Sequence, residues 1–454
     1  GMGRRERFLM IQISIGETDS WTIIDGLSVS APFKNAVCFF EQSNADHVTD
    51  KIEIFLKGTP AQISAAISTI EQIIHRSNLN AQGHYENPQY LRFQLETGGA
   101  YYYAEFQQPY LTTNQAAYVT HYKGSIMLNL FYKRSNSFYS DLVSLPLTGR
   151  NGTDITSGID IVNSTDYHAT HGSSLLIKDA DLPAPLPSPL RVEIENTYAT
   201  DQIKDFFIGI YHHPSVDNED LFFYNAPDFS GGTLTMNTGA INDYYRRLTW
   251  SSTTWTPLCS LSLSLDLVDQ LDGHLYRPFL HLFNAHAYTD LYFKIALQRG
   301  IYTVYQGEPV YSDPDYDFLF FPPIAIPPNR VLREVYPHSL DLVLYAYKPT
   351  ASSYIIDIDQ LQLFPLDYAA NFLGFFNMNQ NNIFIYDSFR GLHNVRYSIV
   401  GSETVSHILQ GGPLLAAPGM NNRLFFIMSN QNNTVDKDRT ARVTVKQRKR
   451  FRIL

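Results

Sequence analysis

The sequence predicts a mainly β protein, in which a β-sandwich or jelly-roll domain accompanies an α+β domain with one clear helix. Three observations carry that expectation. The 454 residues are 44% hydrophobic, 14% aromatic and only 17% charged, and aromatic rings favour pleated, half-buried surfaces. Runs such as Leu261-Ser-Leu-Ser-Leu-Asp-Leu alternate apolar and polar positions, the period of a strand with one wet face. A helical period stands out at one place, Ile63, Ile67, Ile70 and Ile74, whose spacings of four, three and four put them on one face.

Composition narrows the classes further. The hydrophobic fraction excludes a disordered chain. Two cysteines exclude a disulfide-stapled scaffold and leave too few thiolates for a Cys-rich zinc site. Cys38 and Cys259 both sit in apolar runs and read as buried free thiols. A net charge of -10 argues against a protein that coats nucleic acid. No apolar run is long enough to span a bilayer. The opening Arg4 to Met10 is too short and soon too polar for a signal sequence, so a soluble chain made in a reducing compartment is expected.

Residues 1–160 read as the α+β domain. Ile52 to Leu56 form a strand that stops at Gly58. Thr59 is then a helix N-cap, with Pro60 at the first helical position, where its missing N–H costs nothing. The helix is expected to run to about Arg76, with His75 and Arg76 set against the dipole of its last turn. Strands follow at Tyr90 to Leu95, Ala100 to Phe106 and Ser125 to Lys133; in the last, Ile126, Leu128, Leu130 and Tyr132 define an apolar face.

Residues 161–370 read as the sandwich, many short strand runs separated by turn clusters and no helix. The stretch from Pro183 to Pro189 is stiff and polyproline-like, and Pro322-Pro323 and Pro327-Pro328 bracket an edge or loop. In Tyr354 to Asp367 the apolar phase slips between Ile358 and Leu361, as a β-bulge would cause. Residues 371–454 are short for a core of their own and are expected to complete the first domain's sheet.

The motifs of several enzyme classes are absent: no GxSxG, HExxH, GxxxxGK[ST] or GxGxxG occurs. Glu193 and Glu195 can share a strand face, and a solvated face is the expected role. His168 with His171, His212 with His213, and His281 with His286 are the candidate metal pairs; adjacent strand residues point apart, and the acidic loop Asp217 to Asp220 lacks calcium-loop spacing. No metal and no cofactor is expected. Trp250 and Trp255, with Tyr244 and Tyr245 just upstream, are candidate glycan-stacking residues amid Ser and Thr hydroxyls, set against plain core packing. The basic end, Lys446 to Arg452 with Lys437, Arg439 and Arg442 before it, is expected to be a solvated strand facing an acidic neighbour, with a patch for nucleic acid or another anionic partner as the alternative.

Three segments resemble tail-associated structural proteins of tailed phages and prophages. They are Trp21 to Pro32 with the strand and helix at Ile52 to Arg76, the stretch Gly412 to Ile427 with its Pro418-Gly-Met-Asn turn, and Tyr354 to Asp367. The last looks like the final strand of the carbohydrate-binding-module-like jelly rolls that some of these proteins carry. The resemblance covers about half the chain, through patterns rather than catalytic letters. It implies a component similar to distal tail proteins, made in the bacterial cytoplasm, assembling as a homo-oligomeric ring and contacting other tail or baseplate proteins in the virion. It carries over no catalytic and no sugar-binding residue. A non-enzymatic structural role is therefore the leading expectation, and a glycan-binding protein the alternative.

Overall fold

The computed structural model describes residues 6–7, 12–17, 20–26, 29, 32–41, 46–82, 88–113, 124–149, 154–163, 172–182, 186–213, 222–271, 273–284, 288–328, 339–350, 352–366, 368–372, 378–390, 396–399, 402–407, 410–411, 413–432 and 434–452. The fold is mainly β. Its described strands form five antiparallel sheets, and two α-helices occur among the described residues.

The first core lies between a five-stranded sheet and one part of a twelve-stranded sheet. His47–Lys57 and Ser125–Ser135 pair along their whole length, and Ile126, Leu128, Leu130 and Tyr132 are buried, as their alternation requires. The helix Pro60–Ala81 packs on this core. Its start follows the capping-box logic: the Thr59 hydroxyl accepts from Gln62 N–H at 3.3 Å, and Gln62 Oε1 accepts from Thr59 N–H at 2.9 Å. Its end lies beyond the expected one. The Ser77 hydroxyl donates to the carbonyl of Phe106, and the Asn78 amide donates to Pro109 O at 3.3 Å. These tethers hold a further turn, so His75 and Arg76 precede the last turn, and Arg76 instead pairs with Glu17 at 2.9 Å.

A buried ion pair anchors this unit. Arg134 is 1% exposed and donates from Nε to Asp50 Oδ2 at 2.5 Å, while the Tyr132 hydroxyl and Glu41 N–H also donate to Asp50. Burial pushes the Asp50 carboxyl up, against the pull of Arg134 and these donors.

The twelve-stranded sheet does not stop at the first core. The strand Thr440–Phe451 pairs with Phe138–Ser144 along its second half and with Ile159–Val162 and Ser188–Asn196 along its first. One strand thus belongs to both the early and the middle parts of the chain. Its basic residues are used locally: Lys446 binds Glu193 at 2.9 Å, Arg442 binds Asp160 at 3.0 Å, and Arg448 lies over Tyr103 and Phe389.

Segment 161–370 divides between two further cores. Ile159, Val192, Ile194, Ile208, Phe426 and Val443 share one; Leu261, Leu280, Ile295, Leu342 and Ile358 share the other. Between them lies a seven-stranded sheet centred on Ile203–His213 and Asn421–Asn430. Phe206 and Phe426 enter one core while their neighbours Phe207 and Phe425 enter the other. A sheet buried on both faces reads as a continuous apolar run rather than an alternation, and Leu424-Phe-Phe-Ile-Met is such a run. Gly209 marks a close approach to the next sheet: a Cβ there would lie 2.7 Å from Phe364 Cε1 and 2.8 Å from Pro365 O.

The last two sheets face one another across the largest core. One is centred on Leu275–Phe283 and Tyr354–Pro365, the other on Tyr292–Arg299 and Leu340–Tyr347. The expected bulge is present: Leu282 pairs with Ile358 and His281 with Gln360, leaving Asp359 as the extra residue. The run Leu261 to Leu267 departs from expectation. Its strand ends at Leu263, and a helix spans Leu265–Leu271. Ser264 caps it, with Val268 N–H donating to Ser264 O at 2.9 Å, and the spacing of Val268 and Leu271 buries both in the core. Cys38 and Cys259 are free and buried, in the first and the largest core respectively.

Candidate functional site

The four expected glycan residues fall on two different sheets. Trp250 ends the strand Tyr244–Trp250, is 7% exposed, and donates its indole N–H to Thr256 Oγ1 at 2.7 Å. It packs in the core. Tyr245 is buried too, stacked on Phe283 with centroids 4.8 Å apart, and Arg247 lies over it. Arg247 is held in turn by a two-pronged contact to Asp357, both distances 2.9 Å. Tyr244 is 37% exposed and pairs with Met236 on the edge strand Thr233–Met236.

Trp255 has a different setting. It precedes the strand Thr256–Leu263 and stands half-buried beside the outer face of the last sheet. Tyr347 lies 5.3 Å from it, Tyr292 6.0 Å from Tyr347, and Tyr311 5.3 Å from Tyr292, measured between ring centroids. Strand register produces this row, since Tyr292 pairs with Tyr347 on one side and with Tyr311 on the other. The alternate residues Phe293, Ile295, Leu342 and Leu344 fill the core, which directs the tyrosines outward. Ser252 and Thr254 hydroxyls flank the Trp255 end, and the Gln298 amide donates to the Tyr345 hydroxyl at 2.7 Å on the same face. Rings with polar groups between them can stack on the apolar faces of sugar rings and bond their hydroxyls. Sequence reading found Trp255 but not its partners, because Tyr292, Tyr311 and Tyr347 are distant in sequence and meet through pairing alone.

The histidine pairs resolve differently. His212 hydrogen-bonds Leu415 O at 2.8 Å; the His213 side chain, His168, His171, His286 and the loop Asp217 to Asp220 lie outside the described residues. His281 is buried with its two ring nitrogens donating to different carboxylates, Nδ1 to Asp359 at 2.8 Å and Nε2 to Asp317 at 3.0 Å. Burial alone would lower its pKa; Asp317 and Asp359 outweigh that and hold it up at about 10. The imidazolium so formed cannot serve as a base near neutrality. It is a clasp: Asp317 accepts Val435 N–H at 3.1 Å, and Asp359 accepts Ile241 N–H at 2.9 Å. A cleft of about 530 Å³ opens beside it, lined among others by Phe283, Asn284, Thr434, Asp436 and Lys437. Among the described residues no group of three or more His, Cys, Asp or Glu is placed to hold a metal ion. Glu193 is bound by Arg191 at 2.7 Å and by Lys446 at 2.9 Å.

No protein-family model matches this chain, and no curated protein matches it.

Proposed function

We propose that this chain is a non-enzymatic structural component of a phage or prophage tail, acting by assembly with copies of itself and with neighbouring tail or baseplate proteins. The three resembling segments support the class. The observation that supports assembly is an apolar hairpin left in solvent. Tyr292–Arg299 turns through Gly300 and Ile301 into the edge strand Tyr302–Gln306, where Ile301 is 91% exposed and Tyr302 and Val304 are also exposed. An open strand edge with apolar side chains is a template for pairing with another chain. Light scattering over a concentration series tests the reading. An oligomer that is weakened by the pair Ile301→Asp and Val304→Lys is expected; a strict monomer at high concentration overturns it.

The row Trp255, Tyr347, Tyr292 and Tyr311 favours a second reading, in which the outer sandwich binds a surface glycan. Glycan-array binding that is lost in Trp255→Ala and Tyr347→Ala supports it, and a silent array removes it. The two readings are compatible in one tail protein.

A further inference from the structure

Among the described residues, a cation sits within the aromatic row without an anion to match it. Lys294 lies on the outer face of Tyr292–Arg299, two residues from Tyr292, and pairs in register with Tyr345. It is 8% exposed, and its ammonium rests 4.5 Å from the Trp255 ring centroid and 5.5 Å from that of Tyr345. Among the described residues its only partners are these two rings. Ring faces attract an ammonium, but they replace lost water incompletely and leave its charge unneutralised. Three other buried cations are matched by carboxylates, Arg134 by Asp50, Arg439 by Asp201 and Asp436, and His281 by two, whereas Lys348, 4% exposed, likewise rests on a ring, that of Tyr354.

We propose that the row of aromatic rings centred on Lys294 is a binding site for an acidic saccharide, one whose ring carries a carboxylate. The inference rests on the glycan reading above and names its ligand class. Tyr292, Tyr347 and Trp255 supply faces for sugar rings, and Lys294 supplies the charge that a sugar carboxylate neutralises. The site discriminates because a neutral sugar leaves the ammonium unmatched, whereas the carboxylate gains a charge-assisted bond in a partly desolvated place.

The test uses the full chain on an array of uronic-acid- and sialic-acid-bearing oligosaccharides, each printed beside its neutral methyl ester. Binding confined to the free acids is expected, falling about tenfold in Lys294→Met and retained in Lys294→Arg, with circular dichroism showing all three proteins folded. Equal binding of acids and esters overturns the acidic-sugar inference and leaves the glycan reading standing. Full acid binding by Lys294→Met overturns the role of Lys294. Binding to no member of the array overturns both.

Discussion

Two buried ion clusters in this protein solve one problem with different cations. In the first unit Asp50 is buried against Arg134; in the largest core Asp317 and Asp359 are buried against His281. Each clasp ties segments far apart in sequence, and each cation is almost fully enclosed. The difference lies in the proton. A guanidinium keeps its charge at any accessible pH, while an imidazolium holds its charge only while its neighbours keep its pKa high. The first unit is therefore clamped by a fixed cation, and the second clasp carries a titratable one. The His281 clasp also reaches, through Asp317 and Val435, into the loop before the strand Thr440–Phe451 that ties the parts of the chain together.

The sharpest way to break this comparison is to remove one partner of the fixed pair. Asp50→Ala should destabilise by about 3–5 kcal/mol, because Arg134 is left buried and unmatched; chemical denaturation followed by tryptophan fluorescence and circular dichroism would show it. A loss below about 1 kcal/mol would mean that water reaches Arg134 and the pair is not a clamp.

The titratable clasp is tested by pH. The folded pKa of His281, about 10, lies above its ordinary 6.5. Its stabilisation should therefore be fully present below pH 6.5 and lost as pH rises through about 10. The difference in denaturation midpoint between wild type and His281→Gln is expected to be widest near pH 6 and to close by pH 11. A difference that stays constant over that range would show that the clasp does not titrate as a charge.

Smaller effects sharpen the account away from the charges. Gly209→Ala drives a Cβ into Phe364 and Pro365 O, where the doubly buried sheet meets the next one. A loss of about 1–3 kcal/mol is expected, and a neutral result would show that this junction yields easily. Thr59→Ala removes the hydroxyl of the capping box and should cost about 1 kcal/mol, with the helix retained. A thermal-shift series on the two variants would order them.

Much of the secondary structure was legible where one local rule acted alone. Thr59-Pro60 and the isoleucine spacing gave the helix, and the alternation from Ile126 to Tyr132 gave its partner strand. The slip between Ile358 and Leu361 gave the bulge, although not that its extra residue, Asp359, would hold a histidine. Alternation misled at Leu261 to Leu267, where Ser264 caps a helix whose own period takes over. The candidate site was legible only at Trp255. Trp250 and Tyr245 share its composition and flanking hydroxyls, but strand direction turns Trp250 inward, and Phe283 covers Tyr245.

A composition rich in aromatic rings and poor in charge by itself determined sheet and burial, and two cysteines excluded a disulfide framework. These properties depend on residue type and on neighbours within a few positions, which a sequence displays directly. Tertiary structure alone decided where the rings went. Phe206 and Phe207 are chemically identical neighbours that entered different cores, and Tyr292, Tyr311 and Tyr347 became a row because three strands aligned. Pairing register is a long-range choice, fixed by the whole sheet's burial rather than by any residue's own preference.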